Sequence, residues 1–166
     1  MNFAQGWYVA YTRSRFEKKI ANKLIESEFD VYLPISTVIS QWTDRKKKIE
    51  KPLFNSYVFV YLKSIKDYLK AMATEGIVLF ISLGNKPVRV PDEEINRIRI
   101  FLNQYSEVEL MGNHELNVGE KKLIMSGPFE SYQCEILKIN NKQKICVRID
   151  SLKQSLIAEI HPYHLM

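Results

Sequence analysis

The first hundred residues repeatedly switch between strand-like and helix-like spacing of apolar positions. Trp7-Tyr8-Val9-Ala10-Tyr11-Thr12 is aromatic and β-branched and predicts a strand that stops at Arg13-Ser14. Phe16, Ile20, Leu24 and Ile25 then recur at a helical interval, predicting a helix to about Ser27 with these residues buried. Ser14, followed three residues on by Glu17, reads as its capping box. Phe29 to Leu33 reads as a short strand ended by Pro34, and two β-prone arms around Asp44 to Lys48 predict a hairpin with a cationic tip. Leu53 to Leu62 is the strongest strand signal, with Tyr57, Phe59 and Tyr61 on one face and Val58, Val60 and Leu62 on the other. A strand apolar on both faces needs cover on both.

A second helix is expected from about Ile65 to Thr74, with Gly76 as the residue that stops it. Ile77 to Leu83 reads as a strand, Gly84 to Pro87 as a turn, and Val88 to Val90 as extended. Pro91-Asp92-Glu93-Glu94 opens a third helix, with acids at its positive end and Ile95, Ile98, Phe101 and Leu102 along one side. Between Gln104 and Glu115 no period survives, and residues 106–115 read as a linker. Beyond it come short strands near Lys121–Met125, Tyr132–Ile139, Lys142–Ile149 and Leu156–Ile160, the pattern of a small barrel. The expectation is an α+β chain of two domains, 1–105 and 116–166.

Composition narrows the functional classes. The 166 residues are 46% hydrophobic and 26% charged, ordinary for a globular protein. A net charge of +5 is only a mild lean toward anionic partners. No apolar run is long enough to cross a bilayer and the N-terminus lacks a signal-peptide pattern, so a cytoplasmic location is expected and a membrane partner is not. Cys134 and Cys146 form no disulfide framework or zinc knuckle and read as small core residues. His114, His161 and His164 have no evident acid or nucleophile partner, and a lone His161-Pro162-Tyr163-His164 is a weak metal pattern. With no glycine-rich phosphate loop or nucleophile elbow, no enzyme, metal or cofactor is expected.

Three motifs carry a resemblance. They are Trp7-Tyr8-Val9-Ala10-Tyr11 before a basic helix, Lys51-Pro52-Leu53-Phe54-Asn55-Ser56-Tyr57-Val58-Phe59-Val60, and Val118-Gly119-Glu120 followed by Gly127-Pro128-Phe129. In this order and spacing they resemble the NusG family of transcription elongation factors. The resemblance implies an N-terminal NGN domain, an antiparallel sheet flanked by helices, followed by a small SH3-like KOW β-barrel. Ser131 and Cys134 stand where the KOW turn usually has glycines. The chain therefore looks more like a specialised paralogue, similar to the UpxY antiterminators of capsular polysaccharide operons and more distantly to RfaH. Two rivals stay open: a housekeeping NusG acting in pausing and Rho-dependent termination, and a KOW-type RNA- or ribosome-binding module.

The resemblance also assigns residues. Tyr11, Phe54, Tyr57, Phe59 and Leu83 match the apolar surface that docks on the clamp helices of RNA polymerase's largest subunit, although each aromatic also reads as plain core. Arg13, Arg15 and Lys19, with neighbours Lys18 and Lys23, match positions near the non-template DNA strand, and a solvated helix face is the competing reading. Glu75 stands where RfaH-like proteins carry an arginine. Arg45, Lys46, Lys47 and Lys48 at the hairpin tip are candidates for upstream DNA. The barrel is expected to meet a ribosomal protein or another regulator. RfaH-like proteins raise refolding of that domain as helices, but its β-branched residues and asparagine turns favour the barrel.

Overall fold

The computed structural model describes residues 3–115, 120–123, 133–139 and 142–159. The chain divides into two compact units, Met1–Ile35 with Pro52–Ile95, and Ser36–Lys51 with Asn96–Met166.

The first unit is built on β1 (Gly6–Thr12), followed by α1 (Glu17–Glu26) and β2 (Asp30–Tyr32). The chain leaves it through β3 (Ile35–Gln41) and β4 (Lys46–Pro52), which pair as a separate two-stranded hairpin, and returns as β5 (Tyr57–Leu62). Then follow α2 (Ile65–Met72), β6 (Ile77–Phe80), the small β7–β8 hairpin (Ser82–Leu83, Lys86–Pro87), β9 (Arg89–Val90) and α3 (Asp92–Gln104). The sheet order is β2-β5-β1-β6, with β9 also on β1, and every pairing is antiparallel.

Register sorts the side chains. Tyr8↔Val60 and Ala10↔Val58 face one way, and Val9↔Phe59 and Tyr11↔Tyr57 the other. On the first face Tyr8, Ala10, Val58, Val60, Leu62 and Phe80 form one buried cluster with Ile20, Ala21 and Leu24 of α1 and Ala71 of α2. Val58, Val60, Leu62 and Leu24 have no solvent-exposed surface, which explains how so short a sheet is held: each fully buried aliphatic contributes roughly 1.5–3 kcal/mol.

Three local expectations change. Ser14–Glu17 is not a capping box. Arg15 adopts a left-handed φ of 67°, α1 begins only at Glu17, and its first residue carries no side-chain cap. The Glu17 carboxylate instead accepts the Ser56 backbone N–H at 2.7 Å. A buried amide left without a partner costs more than an exposed helix end, so the carboxylate is drawn inward. The reciprocal cap lies at α2: Ser64 accepts the Asp67 amide, and Asp67 accepts the Lys63 N–H at 2.9 Å. Phe16 and Ile25, expected in the core, are exposed. Gly76 lies beyond the end of α2; its φ of 102° forms the turn into β6.

In the second unit, β10 (Glu109–Gly112), β11 (Glu120–Leu123), β12 (Gln133–Ile139), β13 (Lys142–Ile149) and β14 (Gln154–Glu159) form one antiparallel sheet of order β10-β14-β13-β12-β11. The stretch 106–115, read as a linker, contains β10, paired to β14 from Glu109↔Ile157 to Gly112↔Gln154. Ile145, Ile149, Leu156 and Ile157 are fully buried. Arg148 on β13 donates two hydrogen bonds to Glu135 on β12, at 2.7 and 3.0 Å, and burial is offset by this bidentate pairing. In α3, Ile95, Ile98 and Phe101 are buried as expected. The Ser126-Gly127-Pro128 and Asn140-Asn141 turns, Ser131, His161 and His164 lie outside the described residues.

Candidate interaction surfaces

An aromatic and aliphatic row crosses three strands of the first sheet. Tyr57 on β5 pairs with Tyr11 on β1, and Tyr11 pairs on its other side with Leu79 on β6. Cross-strand partners share a face, so the three side chains line up. The Tyr11 and Tyr57 rings meet edge to face at 6.1 Å. Tyr11 on the central β1 is 39% exposed, and Leu79 on the edge strand β6 is 44% exposed. The β1–β6 register shifts between Tyr11 and Thr12, just past this row along β1. Leu83, in the β7–β8 hairpin, is the most exposed large apolar residue of the described chain at 79%.

The five residues expected at this surface are therefore not equivalent. Tyr11, Tyr57 and Leu83 reach solvent, whereas Phe54 and Phe59 are buried. Phe54 stacks on Tyr57 at 6.4 Å and meets Phe59 at 5.7 Å, so these two rings act from beneath by holding Tyr57 in place. Leu79 was not anticipated. Its neighbour in the row is visible only once β6 is registered against β1, because alternation along Ile77–Phe80 alone does not say which face is which.

Beside this row, α1 presents its cations. Arg13, Arg15, Lys18 and Lys19 are exposed and Lys23 is half-buried. Their scaffold is tied to the sheet twice: the Thr12 N–H donates to Ser56 O at 2.8 Å, and the Arg13 N–H to Gly76 O at 3.0 Å. Arg13, Lys19 and Lys23 gather around a small pocket of about 20 Å³ that Phe16 and Glu75 also line, while Arg15 and Lys18 lie away from it. Lys23 Nζ donates to the Glu75 carboxylate at 3.0 Å. That hydrogen bond, with the charges of Lys23, Lys19 and Arg13, holds the Glu75 carboxyl below its usual range. Phe16 lies under the Lys19 ammonium at 5.7 Å, so its exposure leaves it part of the cationic surface. Sequence periodicity put Phe16 in the core; the later helix start turns it outward.

The second charged surface is the β3–β4 hairpin. Its turn closes with the Trp42 N–H donating to Arg45 O at 3.0 Å, so Arg45 belongs to the turn and Lys46, Lys47 and Lys48 open β4. Its base is closed by the Leu53 N–H on Pro34 O at 2.8 Å. Every residue from Gln41 to Lys51 is exposed.

Cys134 and Cys146 are buried free thiols, and burial raises both above the usual thiol range. Because Cys146 pairs with Glu135, Cys134 occupies the opposite face of the sheet. Among the described residues no cluster of three or more His, Cys, Asp or Glu is arranged to hold a metal, and no helix is long and apolar enough to cross a membrane.

Residues 5–99 match the family model described as "Transcription termination factor nusG". The chain is 29% identical to the transcription termination/antitermination protein NusG of Staphylococcus epidermidis, over 95% of this chain and 92% of that one. It is 24% identical to the protein of the same description from Borreliella burgdorferi, over 98% of each chain. A solved structure described as "Domain interaction in Thermotoga maritima NusG" superposes with a TM-score of 0.59 at 24% identity, covering 97% of this chain and 96% of that one, a likeness of fold. The chain belongs to the NusG family of transcription termination factors.

Proposed function

We propose that this chain is a specialised antitermination factor of the UpxY/RfaH type. It binds RNA polymerase and promotes processive transcription of particular operons, those for surface or capsular polysaccharide being the expected class. The observation that carries the polymerase reading is the half-exposed row Tyr57–Tyr11–Leu79 beside the cationic start of α1. In this reading the row docks on the clamp helices of the largest subunit and Leu83 extends the contact. Arg13, Lys19 and Lys23, with Arg15 and Lys18 further out, attract the phosphates of the non-template strand. Arg45, Lys46, Lys47 and Lys48 meet upstream DNA. A factor that binds the closed clamp better than the open one shifts polymerase away from the paused state by no more than that difference in affinity.

Residues 1–105 are assigned to polymerase binding and 116–166 to a KOW-type barrel that recruits a ribosomal protein or regulator. The five-stranded antiparallel order β10-β14-β13-β12-β11 supports the barrel. The proposed location is the cytoplasm, and no catalysis is assigned.

A pull-down of polymerase with residues 1–105, followed by in vitro read-through on the cognate leader, tests the reading. Retention of polymerase and increased read-through are expected; RNA capture by residues 116–166 without polymerase binding points to the RNA-module rival instead. The housekeeping reading draws on the near full-length match to NusG relatives. Rescue of a strain depleted of its general NusG decides for it.

A further inference from the structure

We propose that the β3–β4 hairpin holds an unpaired nucleobase, with the Trp42 indole stacked on its face and Arg45, Lys46, Lys47 and Lys48 on the flanking phosphates. This rests on the reading of the chain as a factor working beside melted DNA. It goes beyond attraction to upstream duplex, because it gives the tip a preference for a single-strand junction.

Trp42 is 63% exposed, and it is the largest side chain left so open among the described residues. The turn makes no use of the indole: closure runs through the Trp42 main-chain N–H, and the Asp44 carboxylate is occupied by the Thr43 hydroxyl at 3.2 Å. No core claims it either, since every residue from Gln41 to Lys51 is exposed. Meanwhile five cations against two acids lie between Ile35 and Pro52, more than half of the chain's net +5. Strand alternation sends Lys46 and Lys48 to one side of the ribbon and Lys47 to the other.

A solvent-facing π-face within a few residues of ammonium and guanidinium groups is the composition of a single-strand platform, where stacking is tolerant of sequence and cations track the backbone. An intact duplex offers only base edges in its grooves, so it gives the cations partners and the indole none. At a fork the terminal base exposes its face. A lipid surface takes tryptophan and lysine too, but it needs a broad apolar face, and from Gln41 to Glu50 only Trp42 and Ile49 are apolar.

The full-length chain is titrated against fluorescently labelled forked DNA, the matching blunt duplex, and phosphatidylserine vesicles. Trp42→Ala is expected to weaken fork binding about five-fold or more, with Trp42→Phe retaining most of it and blunt-duplex affinity unchanged by either. In a Trp7→Phe background Trp42 is the one remaining indole, and its emission is quenched by the fork and not by the duplex. Equal fork binding by wild type and Trp42→Ala overturns the proposal, as does equal loss on fork and duplex, or an emission response to vesicles in place of DNA. A thermal melt of Trp42→Ala accompanies the titration, and an unchanged midpoint is expected from so exposed a residue. Polymerase pull-down by the wild type separates the two readings: capture of polymerase by a wild type that shows no preference for the fork removes the hairpin proposal alone, and failure of the wild type to capture polymerase removes the reading beneath it.

Discussion

Glu17 shows how one side chain links two elements far apart in sequence. Its carboxylate satisfies the Ser56 amide, and Ser56 O in turn accepts from Thr12, so the start of α1, the end of β1 and the start of β5 share one small network. Glu17→Ala orphans a buried N–H and is expected to cost about 1–3 kcal/mol in urea denaturation, with Glu17→Gln milder because an acceptor remains. Gly76 is constrained differently. Its φ is +102°, and a Cβ there would stand 2.8 Å from Ile20 Cδ1, at the centre of the α1 packing. Gly76→Ala therefore combines backbone strain with a clash, and a loss of about 1–3 kcal/mol is expected by thermal or chemical melt. Glu75, close by, is exposed, so its ion pair with Lys23 is cheap to open and contributes little stability. On the proposed DNA-facing surface, its charge offsets those of Lys23, Lys19 and Arg13.

At the scale of elements, the row across β5, β1 and β6 is best tested by its exposed members. Phe59 has no accessible surface, so Phe59→Ala would cost roughly 3–5 kcal/mol and confuse unfolding with lost binding. Tyr11→Ala with Leu79→Glu leaves the buried rings in place; loss of polymerase in a pull-down, with an unchanged circular dichroism spectrum, is expected. Much of the architecture was legible beforehand. The apolar run of β5 and the acids opening α3 come from local pattern; α3 opens where expected, while β5 keeps its expected end at Leu62 but begins at Tyr57 rather than Leu53. What pattern did not reveal was long-range: the Glu17–Ser56 bond spans elements, and the exposure of Phe16 follows from the left-handed Arg15 that delays α1. Leu79 likewise joins the surface through strand register. The short strand Glu109–Gly112 was missed because four residues ending in glycine carry too little period to read. In the second sheet, the half-buried Arg148 grips Glu135, and Arg148→Met is expected to lower stability by about 1.5–3 kcal/mol in a melt of the full chain.

For the molecule as a whole, a net +5 predicts only weak attraction to DNA, yet the charge is unevenly held, on α1 and on the β3–β4 hairpin. Binding of single-stranded DNA should therefore weaken steeply with salt. Each phosphate contact contributes about 0.7 to the log–log slope, so Arg13→Ala with Lys19→Ala is expected to reduce it by about 1.4. An unchanged slope in an anisotropy titration across salt concentrations would remove α1 from the DNA-facing surface.

The hairpin also bears on solubility. Among the described residues it is a two-stranded ribbon, and β4, exposed from Lys46 to Lys51, has an outer edge of main-chain donors and acceptors open to a second copy. Lys46, Lys47 and Lys48 lie on β4, and like charges brought side by side repel. These lysines therefore act as gatekeepers against edge-to-edge aggregation. A variant that replaces all three with glutamine should elute earlier from a sizing column as concentration rises, while one that replaces them with arginine should stay monodisperse.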